Sequence, residues 1–321
     1  MSIESTILSQ VFNIDNWAKY PLIDLRGKFP DVTDEWDIVF SETNPTVCRA
    51  DLHYIKDCKK NTGKYPVLLN VHGGGWIIGD KSNSTSYCLP IADSGFFVMN
   101  INYGMPAKDV PALFESVDPK KNHDSAYVWP YAIQTHFLAM KWLSENAEKY
   151  NLDLDNVFVS GDSAGSHMTA VVAACFCSDE YANALGIERP NFTPKGYVMN
   201  CGIYNVGFYK HIPIARAMMQ KFVGMDDPTQ SPLWKYLDPT PYIDKKANNV
   251  LVVKGMIDIM TIFQSDRMVK HLKAAGVNTD FYVGHGVPNS FHDFMFLTFT
   301  KESKKCMRFT ANWLNAVASN K

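Results

Sequence analysis

The chain has 321 residues, 46% hydrophobic and 20% charged, with a net charge of −2. These values suit a globular protein with a sizeable core and exclude a disordered or low-complexity chain. No Lys/Arg run exceeds two residues and the longest apolar run, Ala170 to Cys177, has eight; neither a nucleic-acid footprint nor a membrane span of about 20 residues is present.

In chain order, Met1 to Tyr20 carries Glu4 and Asp15 among polar residues. It lacks the charged-then-apolar pattern of a secretory signal and precedes the first strand. Val67 to Val71 reads as a buried strand ending at a glycine cluster, and Phe96 to Tyr103 as a second strand. Tyr131 to Tyr150 places Phe137, Met140, Leu143 and Ala147 at helical spacing. Val157 to Val159 is a short strand leading to Gly161, and Ser163 to Cys177 an Ala-rich buried helix. Tyr197 to Cys201 and Val250 to Val253 are further strands. Ile262 to Ala275 is a helix stopped by Gly276, as a C-terminal glycine cap would do. Phe281 to Val283 is a last strand, and Lys304 to Ala318 a closing helix. Strands alternating with helices predict an α/β fold, a mostly parallel sheet covered on both faces.

No linker splits the chain, so residues 1–321 are expected to form one domain. Two segments stand outside the alternation: about Met1 to Tyr20, and Gly207 to Ile243. The second contains Met218, Met219, Phe222, Val223, Met225 and Trp234, too apolar to leave in water. Such an insertion in a compact domain is usually functional, often a lid, and both segments are expected to be cap elements. The seven cysteines are odd in number and scattered, which points to reduced thiols in a cytoplasmic protein rather than a disulfide frame. Cys175 and Cys177 are two apart and do not share a helix face; no metal is expected.

Two motifs carry chemistry. Gly161-Asp162-Ser163-Ala164-Gly165 is a G-x-S-x-G between a strand and a helix. So tight a turn strains its central residue and needs small neighbours, and it lifts the serine oxygen to the helix N-terminus, where the dipole favours an oxyanion. A glycine-rich turn with a capping serine is the plainer alternative. His72-Gly73-Gly74-Gly75-Trp76 follows the strand ending at Val71. Its three glycines bare backbone N–H groups, the donors that acyl transfer requires. A phosphate-gripping loop would want a following helix and G-K-[ST], and has neither.

At these motifs, and over roughly Lys64 to the C-terminus, the chain resembles the hormone-sensitive-lipase-like branch of the α/β-hydrolases, which includes bacterial esterases of the acetyl esterase type. The resemblance implies a Ser/Asp/His triad in that chain order, with a helical cap from the N-terminus and from an insertion after the sixth strand. Gly255-Met256-Ile257-Asp258 matches the family's G-x-x-D, so the acid is expected at Asp258, with helical Asp266 as competitor. His292-Asp293-Phe294 matches the family's His-x-Phe, so the base is expected at His292, with His285 as competitor. Gly74, Gly75 and Ala164 would form the oxyanion hole. His72, Trp76, Tyr103, Asp162, Met256, Ile257 and Phe291 are the expected pocket residues, His72 also holding its loop in shape. His167 reads as a buried helix residue.

The chain departs from the pattern at Tyr103-Gly104-Met105-Pro106-Ala107, where the family carries a Y-R-L-A-P-like run, at the polar stretch Lys108 to Ser125, and at Ser166, where glycine is frequent. The resemblance implies a serine carboxylesterase for small short-chain esters, needing no cofactor. Its partners would be a small-molecule ester and water, with no nucleic acid or membrane; a homodimer is compatible with this reading. Kynurenine formamidases also use H-G-G-G-W, so an arylformamidase or amide hydrolase is the alternative. A non-catalytic small-ligand binding protein on this fold is the third reading.

Overall fold

The computed structural model describes residues 28–56, 63–105, 128–286 and 291–319. The expected cap element Met1 to Tyr20 and the polar stretch Lys108 to Ser125 lie outside them. Among the described residues, eight strands, opening with β1 (Val32–Val39) and β2 (Arg49–Ile55) and continuing with β3 to β8 below, form one sheet in the order β1-β2-β4-β3-β5-β6-β7-β8. β3 (Tyr65–Val71), β4 (Phe97–Ile101), β5 (Leu152–Asp162), β6 (Gly196–Asn200), β7 (Asn249–Gly255) and β8 (Asn278–Gly284) are mutually parallel. The expected mostly parallel α/β sheet is therefore present. The short apolar runs Val157 to Val159 and Phe281 to Val283 are only the interior parts of longer strands. Their flanking residues are polar but extended.

The strands are apolar on both sides because helices cover both faces. Along β3, Val67 and Leu69 join one core cluster and Leu68 the other, the period of two that a pleated strand imposes. Between the strands run α1 (Thr85–Asp93), α2 (Tyr131–Glu145), α3 (Ala164–Cys177), α4 (Asp179–Ala184), α5 (Pro213–Val223) and α6 (Gln264–Ala274), and α7 (Lys301–Ser319) closes the fold. The helix expected over Tyr131 to Tyr150 ends at Glu145, and the rest is turn. Among the described residues, no helix is long and apolar enough to cross a membrane. The described cysteines are free and buried.

Two strands had no counterpart among the predicted elements. β1 (Val32–Val39) and β2 (Arg49–Ile55) add antiparallel strands at one edge. Both are rich in charge, and β2 buries Asp51 and His53. The charge is neutralised locally: Lys81 Nζ meets Asp37 at 2.8 Å and Asp51 at 3.1 Å, and His53 Nδ1 meets Asp34 at 2.7 Å. The register of β1 on β2 shifts between Glu35 and Ile38, where Asp37 adopts a φ of 56°.

At the centre of the fold α3 lies so close to the sheet that Gly165 and Gly161 have no room for a side chain. A Cβ on Gly165 would stand 2.4 Å from the Val71 carbonyl oxygen, and one on Gly161 2.5 Å from the Gly165 carbonyl carbon. Both obstacles are backbone and cannot rotate away. Gly165→Ala should therefore destabilise the protein by about 1–3 kcal/mol, seen as a lower urea midpoint. An unchanged midpoint would show that α3 can move off the sheet freely.

Candidate active site

Every expected reacting residue follows the C-terminal end of a parallel strand. Ser163 follows β5, Asp258 follows β7, His292 lies beyond β8, and His72 to Trp76 follow β3. The six parallel strands end on one edge of the sheet, so Ser163 and His292, 129 positions apart in sequence, converge there.

Ser163 has φ 52° and ψ −115°, a left-handed conformation for a residue with a Cβ, worth about 1–3 kcal/mol of strain. The surrounding backbone holds it there. Its N–H donates to the Asn200 carbonyl at 2.9 Å, and its own carbonyl accepts from the His167 N–H at 3.1 Å. The hydroxyl stands at the N-terminus of α3.

The structure brings Ser163, His292 and Asp258 into one hydrogen-bonded row. His292 Nε2 is 2.9 Å from Ser163 Oγ, and His292 Nδ1 is 2.9 Å from Asp258 Oδ2. The other Asp258 oxygen accepts from the N–H groups of Met260 and Thr261, each at 3.1 Å. Burial alone would raise the Asp258 carboxyl, but His292 and the Thr261 contacts outweigh it and hold the group below the ordinary carboxylate range. His292 is anchored through Phe294, which is fully buried against Gly284: a Cβ there would meet the ring at 2.5 Å. The competitors lie elsewhere. Asp266 is ion-paired to Lys254 at 2.6 Å on the surface of α6, and His285 is exposed.

The glycine loop runs beside the serine. A Cβ on Gly73 would meet Asp162 Oδ2 at 2.4 Å and the Ser163 Cβ at 3.0 Å, and the Gly73 N–H donates to Asp162 Oδ1 at 3.0 Å. Gly74 and Gly75 have positive φ, 117° and 58°. Among the described residues, no group accepts a hydrogen bond from the N–H of Gly74, Gly75 or Ala164. His72 Nδ1 donates to the Gly73 carbonyl at 2.6 Å, and the ring stacks on Tyr103 at 4.7 Å.

Of the residues expected to line the pocket, His72, Trp76, Tyr103 and Asp162 are buried and support the loop, whereas Met256, Ile257 and Phe291 are exposed at the rim. The insertion 207–243 packs its α5 on the glycine loop. The Met218 methyl occupies the space a Gly75 side chain would need, and Phe222 stacks on Trp76 at 5.6 Å. Met219 and Val223 are buried, Met218 and Trp234 pack against the core, and Met225 remains exposed.

One functional tie was not legible in the sequence. Trp76 Nε1 donates to His167 Nδ1 at 3.1 Å, which fixes the proton on Nε2; that N–H then donates to the Leu237 carbonyl at 2.8 Å. His167 thus joins the glycine loop, α3 and the insertion. Burial pushes it down from the ordinary 6.5 to about 4, so it stays neutral. Cys201, Asp258 and His292 each place one donor atom within 4.8 Å, a spacing a metal could bridge. Burial pushes the Cys201 thiol well up, which opposes the thiolate a metal needs.

The sheet order, the strand–serine–helix turn and the acid and base beyond the next strands define an α/β-hydrolase. Residues 54–272, more than half of the chain, match the BD-FAE family, and the protein belongs to it. The chain is 26% identical to Esterase LipQ of Mycobacterium tuberculosis over 71% of this chain and 50% of that protein. It is 31% identical to Carboxylic ester hydrolase LipN of the same organism, over 71% and 59%. The chain thus spans about half the length of these curated relatives. Among solved structures, Esterase B from Lactobacillus rhamnosis (HN001) superposes with a TM-score of 0.78 at 21% identity, covering 98% of this chain and 94% of that one.

The buried histidines make stability depend on pH. His167 and His136 both titrate near 4 in the folded protein because of burial, against 6.5 ordinarily. Between those values the unfolded chain binds protons the folded one does not, so stability falls as pH drops from about 6.5 towards 4 and is flat above. The loss should be on the order of 2–3 kcal/mol per histidine by pH 4. Melting temperatures at pH 7 and pH 5 measure it. His167→Gln should be less stable at pH 7 yet lose less on acidification.

Proposed function

We propose that this protein is a serine carboxylic ester hydrolase acting on small esters with short acyl chains. The reading rests on one observation, the unbroken hydrogen-bonded row from Ser163 through His292 to Asp258. Membership of the BD-FAE family and relatives named esterase and carboxylic ester hydrolase support it.

In this mechanism Ser163 Oγ attacks the ester carbonyl carbon while its proton passes to His292 Nε2. The tetrahedral oxyanion is received by the N–H groups of Gly74, Gly75 and Ala164 at the N-terminus of α3. Asp258 holds the imidazole with Nδ1 protonated and stabilises the imidazolium. His292 then gives its proton to the departing alkoxide, leaving an acyl-enzyme on Ser163. Water, deprotonated by His292, attacks the acyl carbon, and collapse returns the proton to Ser163 and releases the acid.

The insertion supports the short-chain reading. Met218 lies directly on Gly75, and the insertion is one short helix flanked by 3-10 turns rather than a second roof. The insertion, as a cap, would exclude water from the site and strengthen its hydrogen bonds. The formamidase alternative leaned on Trp76, but that ring is 3% exposed and bonded to His167, so it supports the loop rather than facing substrate.

Ser163→Ala should fold and lose roughly 10⁴- to 10⁶-fold in kcat; retention of a tenth of the activity would remove the serine from the mechanism. His292→Ala should lose about as much and His285→Ala little, whereas Asp258→Asn should cost roughly 10⁴-fold. A panel of p-nitrophenyl esters should give higher kcat/KM at C4 than at C12. N-formylkynurenine in the same panel tests the amide reading directly.

A further inference from the structure

His292 has a carboxylate on each of its ring nitrogens. Asp258 lies on Nδ1 at 2.9 Å, and Asp293 Oδ2 lies 3.3 Å from Nε2, the nitrogen that faces Ser163. Asp293 is 5% exposed and has a φ of 51°. It begins the short turn Phe294–Phe296, the position where an aspartate ordinarily accepts from the next N–H groups, yet its side chain makes no capping bond. The carboxylate is turned to the imidazole instead. The left-handed backbone that turns it is held by the buried Phe294 on one side and by the Asp293 N–H, which donates to the Cys201 sulfur, on the other.

We propose that Asp293 is a second carboxylate of the base, stabilising the His292 imidazolium from its Nε2 edge during the interval between serine attack and leaving-group departure. The inference rests on the ester-hydrolase reading above. In that interval the Ser163 proton has moved to Nε2, the Oγ–carbon bond has formed, and the proton waits for the alkoxide. Asp293 accepts no proton. It lowers the energy of the cation electrostatically, and Nε2–H remains nearer in reach of the alkoxide than of any other base. The cost is that the resting imidazole also protonates more readily, so activity on the acid side begins at higher pH than Asp258 alone would give.

Among the described residues, the other groups named around the ring do not supply this effect. Ser163 and Cys201 face it from the ends of β5 and β6, and Asp258 from the loop after β7. Burial pushes the Cys201 thiol well up and likewise raises the neighbouring Tyr204 hydroxyl, so both are neutral at working pH. Asp162 directs its carboxylate to the Gly73 N–H. Among the described residues, the two carboxylates on the imidazolium are those of Asp258 and Asp293.

The test is the pH profile of kcat/KM for the full chain and for Asp293→Asn, a residue of the same shape that also tolerates a left-handed backbone. The acid-side midpoint should move down by about one pH unit, so that one unit below the wild-type midpoint the variant retains about five times more of its plateau activity. Asp293→Gly, which suits φ 51°, should move it the same way. NMR titration of the His292 ring reads the same shift without turnover. An unchanged midpoint, with or without a lower plateau, overturns the inference. So does unfolding of Asp293→Asn, which would mark a structural anchor. His292→Ala that stays active would instead overturn the ester-hydrolase reading, and the NMR titration separates the two failures.

Discussion

The site depends on a single strained turn. Ser163 can sit at a positive φ in so tight a turn because the residues two positions away on either side have no side chain to obstruct. Gly161 and Gly165 let α3 start directly on the end of the sheet, and Gly73 lets the neighbouring loop close against Asp162. Three glycines from two distant segments meet within one small volume, and each is confronted by fixed backbone or by a neighbour within 3 Å of its absent Cβ. The strain at the serine is balanced by hydrogen bonds to Asn200 and His167 and by packing of the buried helix. Without that closeness, neither the hydroxyl nor the N–H groups beside it would share a common focus.

Behind the focus lies a polar tie. Trp76, His167 and Leu237 belong to the glycine loop, the serine helix and the insertion, and two hydrogen bonds through one neutral imidazole join them. The bonds require a single tautomer, and burial keeps that ring uncharged. Stacking of Phe222 on Trp76 and the Met218 methyl over Gly75 close the same unit with apolar contacts. The loop geometry is thus set from the insertion as well as from the sheet.

Much of this was readable in the sequence because parallel strands buried on both faces are nearly continuous apolar runs, as at Val67 to Val71, broken only by Asn70, and Val250 to Val253. The turn glycines were readable because the serine turn leaves no alternative residue. Asp258 and His292 were placed by family pattern, not by spacing. The structure positions both beside Ser163. What escaped were features that depend on partners far away in sequence. β1 and β2 are polar strands whose charges are matched only in space, by Lys81 and by each other. α1 carries Pro90 in its interior and gave no clear periodic signal. The bonds of His167 and the orientation of Asp293 are set by tertiary packing, on which local pattern is silent.

The irregular edge strand has a bearing on how the sheet meets other chains. In the described sheet β1 is a terminal strand, and an open strand invites another chain to add to it. Here the register break between Glu35 and Ile38, with Asp37 at a φ of 56°, interrupts the regular pairing along that border, an irregularity that an added strand would have to match. An incoming strand of a second copy would bring the same break in register to the same place. The irregularity that hid β1 from periodic reading is of the kind that opposes edge-to-edge pairing of strands.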